Sequence, residues 1–163
     1  MNNIIYATKD LLRNYFRLKG RLSRAGYWWA FLGYAILAVI CSILNVILDV
    51  EIFTGILSLI FFIPWFTAAA RRYHDCGRST QFFVLLYVLQ GVFGFLALGS
   101  TVAAAFGVFS ESAGIFGGSL IALAVGVIGT LVVGIVMLVG LVKSSDPGAN
   151  RFGEPNPFDP TKE

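Results

Sequence analysis

The feature that most constrains this chain is where charge is missing. Four long stretches, about Tyr27–Leu48, Ile52–Ala70, Gln81–Phe106 and Gly118–Val142, contain no Asp, Glu, Lys, Arg or His. A helix needs roughly 20 predominantly apolar residues to cross about 30 Å of hydrocarbon, and each stretch meets that need. The composition agrees. Hydrophobic residues make up 57% and charged residues 13%, with a mean hydropathy of +0.79, whereas about a quarter of a soluble domain is charged. The expected fold is all-α, an integral membrane four-helix transmembrane bundle.

The cations predict an orientation. All twelve Lys and Arg fall in three places. Lys9, Arg13, Arg17, Lys19, Arg21 and Arg24 precede the first span, Arg71, Arg72 and Arg78 lie between the second and third, and Lys143, Arg151 and Lys162 follow the fourth. The loops around Asp49 and Glu51 and around Ser110–Ser112 carry none. Because loops rich in Lys and Arg stay in the cytoplasm, both termini are expected inside. This divides the chain into a cytoplasmic amphipathic segment over 1–26, a transmembrane domain over 27–142 and a cytoplasmic tail over 143–163. The first 26 residues lack an apolar run, and the first such run ends at acidic residues, so no cleavable signal peptide is expected. Cys41 in the first span and Cys76 beyond the second lie at different depths, which argues against a disulfide framework or a metal pair.

Local patterns add detail. Ile4, Thr8, Leu11, Leu12, Tyr15 and Phe16 share one helical face, and Lys9, Asp10, Arg13, Asn14 and Arg17 share the other. This predicts an N-terminal amphipathic helix that stops near Gly20, placed either in the inner headgroup layer or against the cytoplasmic loops of its own protein. Ser23 is positioned to cap the first span. Tyr27, Trp28, Trp29, Trp65 and Phe66 mark the inner interface. Gly114, Gly118, Ala122, Gly126, Thr130 and Gly134 recur every fourth residue, a stripe that lets helices approach closely. The tail beyond Val142, rich in Pro, Gly, Asn and Asp, is expected as turns and extended chain.

Chemistry has few places to reside. Between the ends of the spans the only amides are Asn45 and Gln90, and the absence of ionisable groups there argues against a coupled transporter. A pore lined by backbone carbonyls or hydroxyls stays open as an alternative. Polar function therefore falls to "GRLSR" (Gly20–Arg24), "RRYHDCGRS" (Arg71–Ser79) and "DPGANRFG" (Asp146–Gly153). "RRYHDCGRS" is expected as the wet inner turn between the second and third spans, anchoring the other two segments. Candidate ligand residues for an anionic headgroup or a partner are Arg21, Arg24, Arg71, Arg72, His74, Asp75, Arg78, Asn150 and Arg151, because a guanidinium fork meets phosphate bidentately. The structural alternative is that these arginines fix topology, snorkel to the surface and pair with Asp75 or Asp146. His74 beside Asp75 suits either a hydrogen-bonding role or acid–base work. His74, Asp75 and Cys76 are consecutive and diverge on a helix, so they form no metal site, and no catalytic constellation or cofactor motif is present.

"NYFRLKGRLSRAGYWW", "IPWFTAAARRYHDCGRS" and "DPGANRFGEPNP" together resemble the domain of unknown function 805 (DUF805) family of small bacterial inner-membrane proteins, which includes the YhaH-type proteins. The resemblance runs from about Asn14 to Pro157. It implies a helical protein of the bacterial cytoplasmic membrane and no established activity. Gly26 stands where the family usually has an acid, so the carboxylate that would complete a capping box with Ser23 is missing. The expected function is non-enzymatic, with the Arg-rich cytoplasmic face binding anionic lipid headgroups or a membrane protein partner, and no nucleic acid. The alternatives are a small channel or carrier, and a membrane enzyme acting on a lipid phosphate through His74 and Asp75.

Overall fold

A computed structural model describes residues 2–156 and Phe158. Its helices are α1 (Asn2–Arg13), α2 (Arg24–Leu48), α3 (Phe53–Asp75), α4 (Thr80–Phe109) and α5 (Ala113–Val142). The last four are long and apolar enough to cross a membrane, so the all-helical membrane architecture expected from the uncharged stretches is present. The chain divides into two compact units, one comprising Met1–Thr80 with Leu141–Glu163 and the other Gln81–Gly140.

In the first unit α1 packs on α2 and α3. Its apolar residues divide between two surroundings. Ala7 and Leu11 are buried, whereas Ile5 and Leu12 are exposed, as is Phe16 just after the helix. Thr8 lies against Gly33 of α2, where any side chain would collide with it. The helix ends at Arg13 and not near Gly20 as expected. Asn14 provides the reason: its Nδ2 donates to both the carbonyl and the carboxylate of Asp10, each at 2.9 Å. A side chain that binds the preceding turn in this way competes with continued helix.

Ser23 caps α2 as expected, its hydroxyl accepting from the Gly26 amide at 3.2 Å. The turn from α2 to α3 is fixed by Asn45. Its Oδ1 accepts from Phe53 N–H at 3.0 Å and its Nδ2 donates to Thr54 at 2.9 Å, which satisfies a helix start that has no side-chain cap of its own. Pro64 stands inside α3 and has no N–H to give the carbonyl four residues back. Tyr15 supplies the missing donor: its hydroxyl bonds the Ile60 carbonyl at 2.8 Å.

The sequence places the inner turn at Arg71–Ser79, and this requires correction. Helix α3 runs on through Asp75, leaving the turn to Cys76–Ser79, with Gly77 at φ +72°. The polar residues Arg71, Arg72, His74 and Asp75 are buried instead of wet. The helix continues because Arg72, His74 and Asp75 find partners inside the protein.

The second unit holds the rest of α4 and α5, joined by a short turn in which Glu111 takes a left-handed φ of 54°. Each helix has 30 residues, about 45 Å of helix at 1.5 Å per residue, more than a hydrocarbon core requires. Part of the small-residue stripe is a packing face. A Cβ on Gly126 would lie 2.6 Å from the Ala97 backbone nitrogen, while Gly114, Gly118 and Gly134 have nothing within 4 Å.

Candidate functional site

Among the described residues the tail after α5 is non-helical, as its composition predicts, and it folds back over the end of α3. Asp146 N–H donates to the Asp75 carbonyl at 2.9 Å, and Asn150 Nδ2 donates to the His74 carbonyl at 2.9 Å. Asn150 and Gly153 close a small loop through two backbone bonds. From the other side, Leu22 N–H donates to the Arg71 carbonyl at 3.1 Å. The three polar segments that the sequence singled out therefore meet at one place.

Within this knot one carboxylate serves two guanidinium groups. Arg21 Nε donates to Asp75 Oδ1 at 2.9 Å, and Arg72 Nη1 donates to Asp75 Oδ2 at 2.7 Å. The remaining guanidinium nitrogens bind backbone carbonyls. Arg21 Nη1 reaches Gly148 and Nη2 reaches Asp146, both at 2.6 Å. Arg72 Nε reaches Leu141 at 3.1 Å, and its Nη2 binds Lys143. These carbonyls belong to the last turn of α5 and to the loop after it, so the two arginines act as caps for the tail. His74 is equally engaged. Nδ1 is 3.0 Å from the Gly20 carbonyl, Nε2 is 2.7 Å from Thr80 Oγ1, and the ring stacks on Phe152 with centroids 3.9 Å apart. Cys76 is buried beside the Lys143 and Ser144 carbonyls, and burial pushes its thiol pKa up.

The candidate residues thus separate into three groups. Arg21, Arg72, His74, Asp75 and Asn150 hold the knot together. Arg24, Arg78 and Arg151 are exposed; Arg151 donates to the Gly77 carbonyl at 3.3 Å and lies 4.8 Å over the Phe152 ring. Arg71 stands apart. It is 3% exposed, and its Nε and Nη2 have no hydrogen-bond partner among the described residues. Asp10 offers it a counter-charge, with Nη1 3.8 Å from Oδ2. Arg71 opens onto a polar cavity of about 410 Å³, which Asp10, Asn14, Arg17, Lys19 and Glu154 also line.

Both nitrogens of His74 and both oxygens of Asp75 already hold partners, so this pair offers little to an acid–base mechanism. Sequence reasoning did not single out Asp10, Asn14 or Lys19 as site residues. They lie on and after the amphipathic helix, and only its packing against α3 brings them to Arg71. Gly26 also gains a structural reason, since a Cβ there would meet Leu22 at 3.1 Å and Phe158 at 3.4 Å.

Four apolar helices, an amphipathic helix packed on two of them and a buried polar knot define a polytopic α-helical membrane protein. A family model described as a protein of unknown function (DUF805) matches residues 15–154, and the chain belongs to that family. Among its relatives, the inner membrane protein YhaI of Escherichia coli (strain K12) is 35% identical over 81 residues, covering 48% of this chain and 69% of that protein. The inner membrane protein YhaH of the same strain is 31% identical over 84 residues, covering 48% of this chain and 69% of that protein. No solved structure matches this chain.

Proposed function

We propose that the protein is a non-enzymatic component of the bacterial cytoplasmic membrane, with both termini inside, that binds anionic lipid headgroups along its cation-bearing end. The observation that carries this reading is the outward surface of α1. Exposed Lys9 and Arg13 alternate there with exposed Ile5 and Leu12, and exposed Phe16 and Arg17 follow in the turn after the helix. Such a surface matches the headgroup layer, where apolar side chains enter the acyl boundary and cations meet lipid phosphate. The one-sided distribution of all twelve cations and the inner-membrane relatives support the same placement.

Lipid enrichment in nanodiscs of mixed composition tests it. Each cation near an anionic surface is worth about 1 kcal/mol, so K9Q/R13Q is expected to lower the preference for anionic over zwitterionic lipid by about thirtyfold at low salt. Raising the ionic strength should shrink the difference. An unchanged lipid ratio in the double variant would overturn the reading.

A further inference from the structure

We propose that the cavity onto which Arg71 opens is a specific site for a phosphate ester, supplied either by a phospholipid headgroup or by a small soluble ester. The proposal rests on the anion-binding reading above and gives it one defined site.

The contrast among three arginines points there. Arg21 and Arg72 have all three guanidinium nitrogens bonded, to Asp75 and to tail carbonyls. Arg71 is as deeply buried as Arg21, at 3%, yet its Nε and Nη2 are unpartnered among the described residues. A buried charge left in that condition is costly. Nε and Nη2 form one edge of the guanidinium, the edge that presents two parallel N–H donors. This geometry meets two oxygens of a phosphate side-on.

Asp10 does not fill the role. Its Oδ1 accepts from Asn14 at 2.9 Å, and its Oδ2 stays 3.8 Å from the other end of the fork. The cavity supplies the rest of an anion site. Arg17 and Lys19 add two cations to its lining, and neither belongs to the knot. Its volume of about 410 Å³ falls in the roughly 300–1,000 Å³ range of small-ligand sites. The carboxylates of Asp10 and Glu154 on the same lining select among phosphates. They accept from a hydroxyl or ammonium on the ester's alcohol, which favours an ester over inorganic phosphate.

The test uses the full chain in a neutral maltoside detergent. Glycerol phosphate and inorganic phosphate are titrated by calorimetry, and phosphatidylglycerol is compared with phosphatidylcholine by native mass spectrometry. A saturable one-to-one site is expected, with glycerol phosphate bound more tightly than inorganic phosphate. Saturation by glycerol phosphate assigns the soluble source, and saturation by phosphatidylglycerol alone assigns the lipid. R71Q should weaken binding by about tenfold or more, the loss of one charge-assisted pair. R17Q/K19Q changes only exposed side chains, so it keeps the question answerable if R71Q fails to fold; it should weaken binding by about threefold or more. Full-strength binding by R17Q/K19Q and by folded R71Q, or no saturable binding of any probe, overturns the site. K9Q/R13Q separates the two readings, since it should lower general lipid preference and leave the one-to-one site intact.

Discussion

Each oxygen of the Asp75 carboxylate holds a different guanidinium, Arg21 at 2.9 Å and Arg72 at 2.7 Å, and its side chain is 2% exposed. Removing one partner of a buried ion pair costs about 3–5 kcal/mol, because the other charge stays buried without compensation. Asp75→Asn is therefore expected to destabilise the protein by about that amount, measured by thermal or detergent-titrated unfolding. Asp146 provides the comparison. Its part in the knot runs mainly through its backbone N–H and carbonyl, and its side chain accepts from Asn150 at 3.3 Å. Asp146→Asn should cost about 1 kcal/mol or less. Equal losses in the two variants would show that Asp75 is not the centre of the charge lattice. The i,i+3 spacing of Arg72 and Asp75 and the positions of Arg21 and Asp146 were visible as one-dimensional facts, and pairing was among the readings they allowed. That Arg72 would be 0% exposed was not visible, since burial of an arginine depends on carbonyls that arrive from α5 and the tail.

Helix α3 carries a proline that would leave a backbone acceptor unsatisfied at membrane depth, where each such group is expensive. The compensation comes from outside the helix, as the Tyr15 hydroxyl bonds the freed Ile60 carbonyl at 2.8 Å. Tyr15→Phe should therefore cost about 1 kcal/mol in unfolding measurements. In a Pro64→Ala background the residue-64 amide returns to Ile60, and the cost of Tyr15→Phe should fall towards zero. Additive losses across that double-mutant cycle would sever the link between the two residues. The same contact explains an element boundary that the sequence pattern placed wrongly. Tyr15 and Phe16 fit the apolar period of α1, yet the chain turns after Arg13 so that Tyr15 can reach α3. Helical periodicity registers that a residue is apolar but not which neighbour it serves.

Considered as a membrane protein, the molecule should carry the Ser110 turn on one side and the tail on the other. With single cysteines introduced at Ser110 and Ser145, a membrane-impermeant maleimide should label the first in intact cells and the second only after permeabilisation. Background from the native residues is low, because Cys41 lies in a span and Cys76 is buried. Burial also raises the Cys76 thiol pKa, so less of it is thiolate at neutral pH than for a free cysteine. Labelling of both introduced sites from outside would overturn the orientation. The number and approximate extents of the crossings, the capping serine and the non-helical character of the tail's described part follow from local rules: apolar length, charge position and turn chemistry act through residues close together along the chain. The course of the tail, the burial of "RRYHD" and the isolation of Arg71 do not follow from such rules. Whether an arginine ends up satisfied, exposed or waiting for an anion depends on which acceptors the remaining helices and loops bring within about 3 Å. Those acceptors come from positions more than a hundred residues away in the chain, as Gly148 and Asp146 do for Arg21.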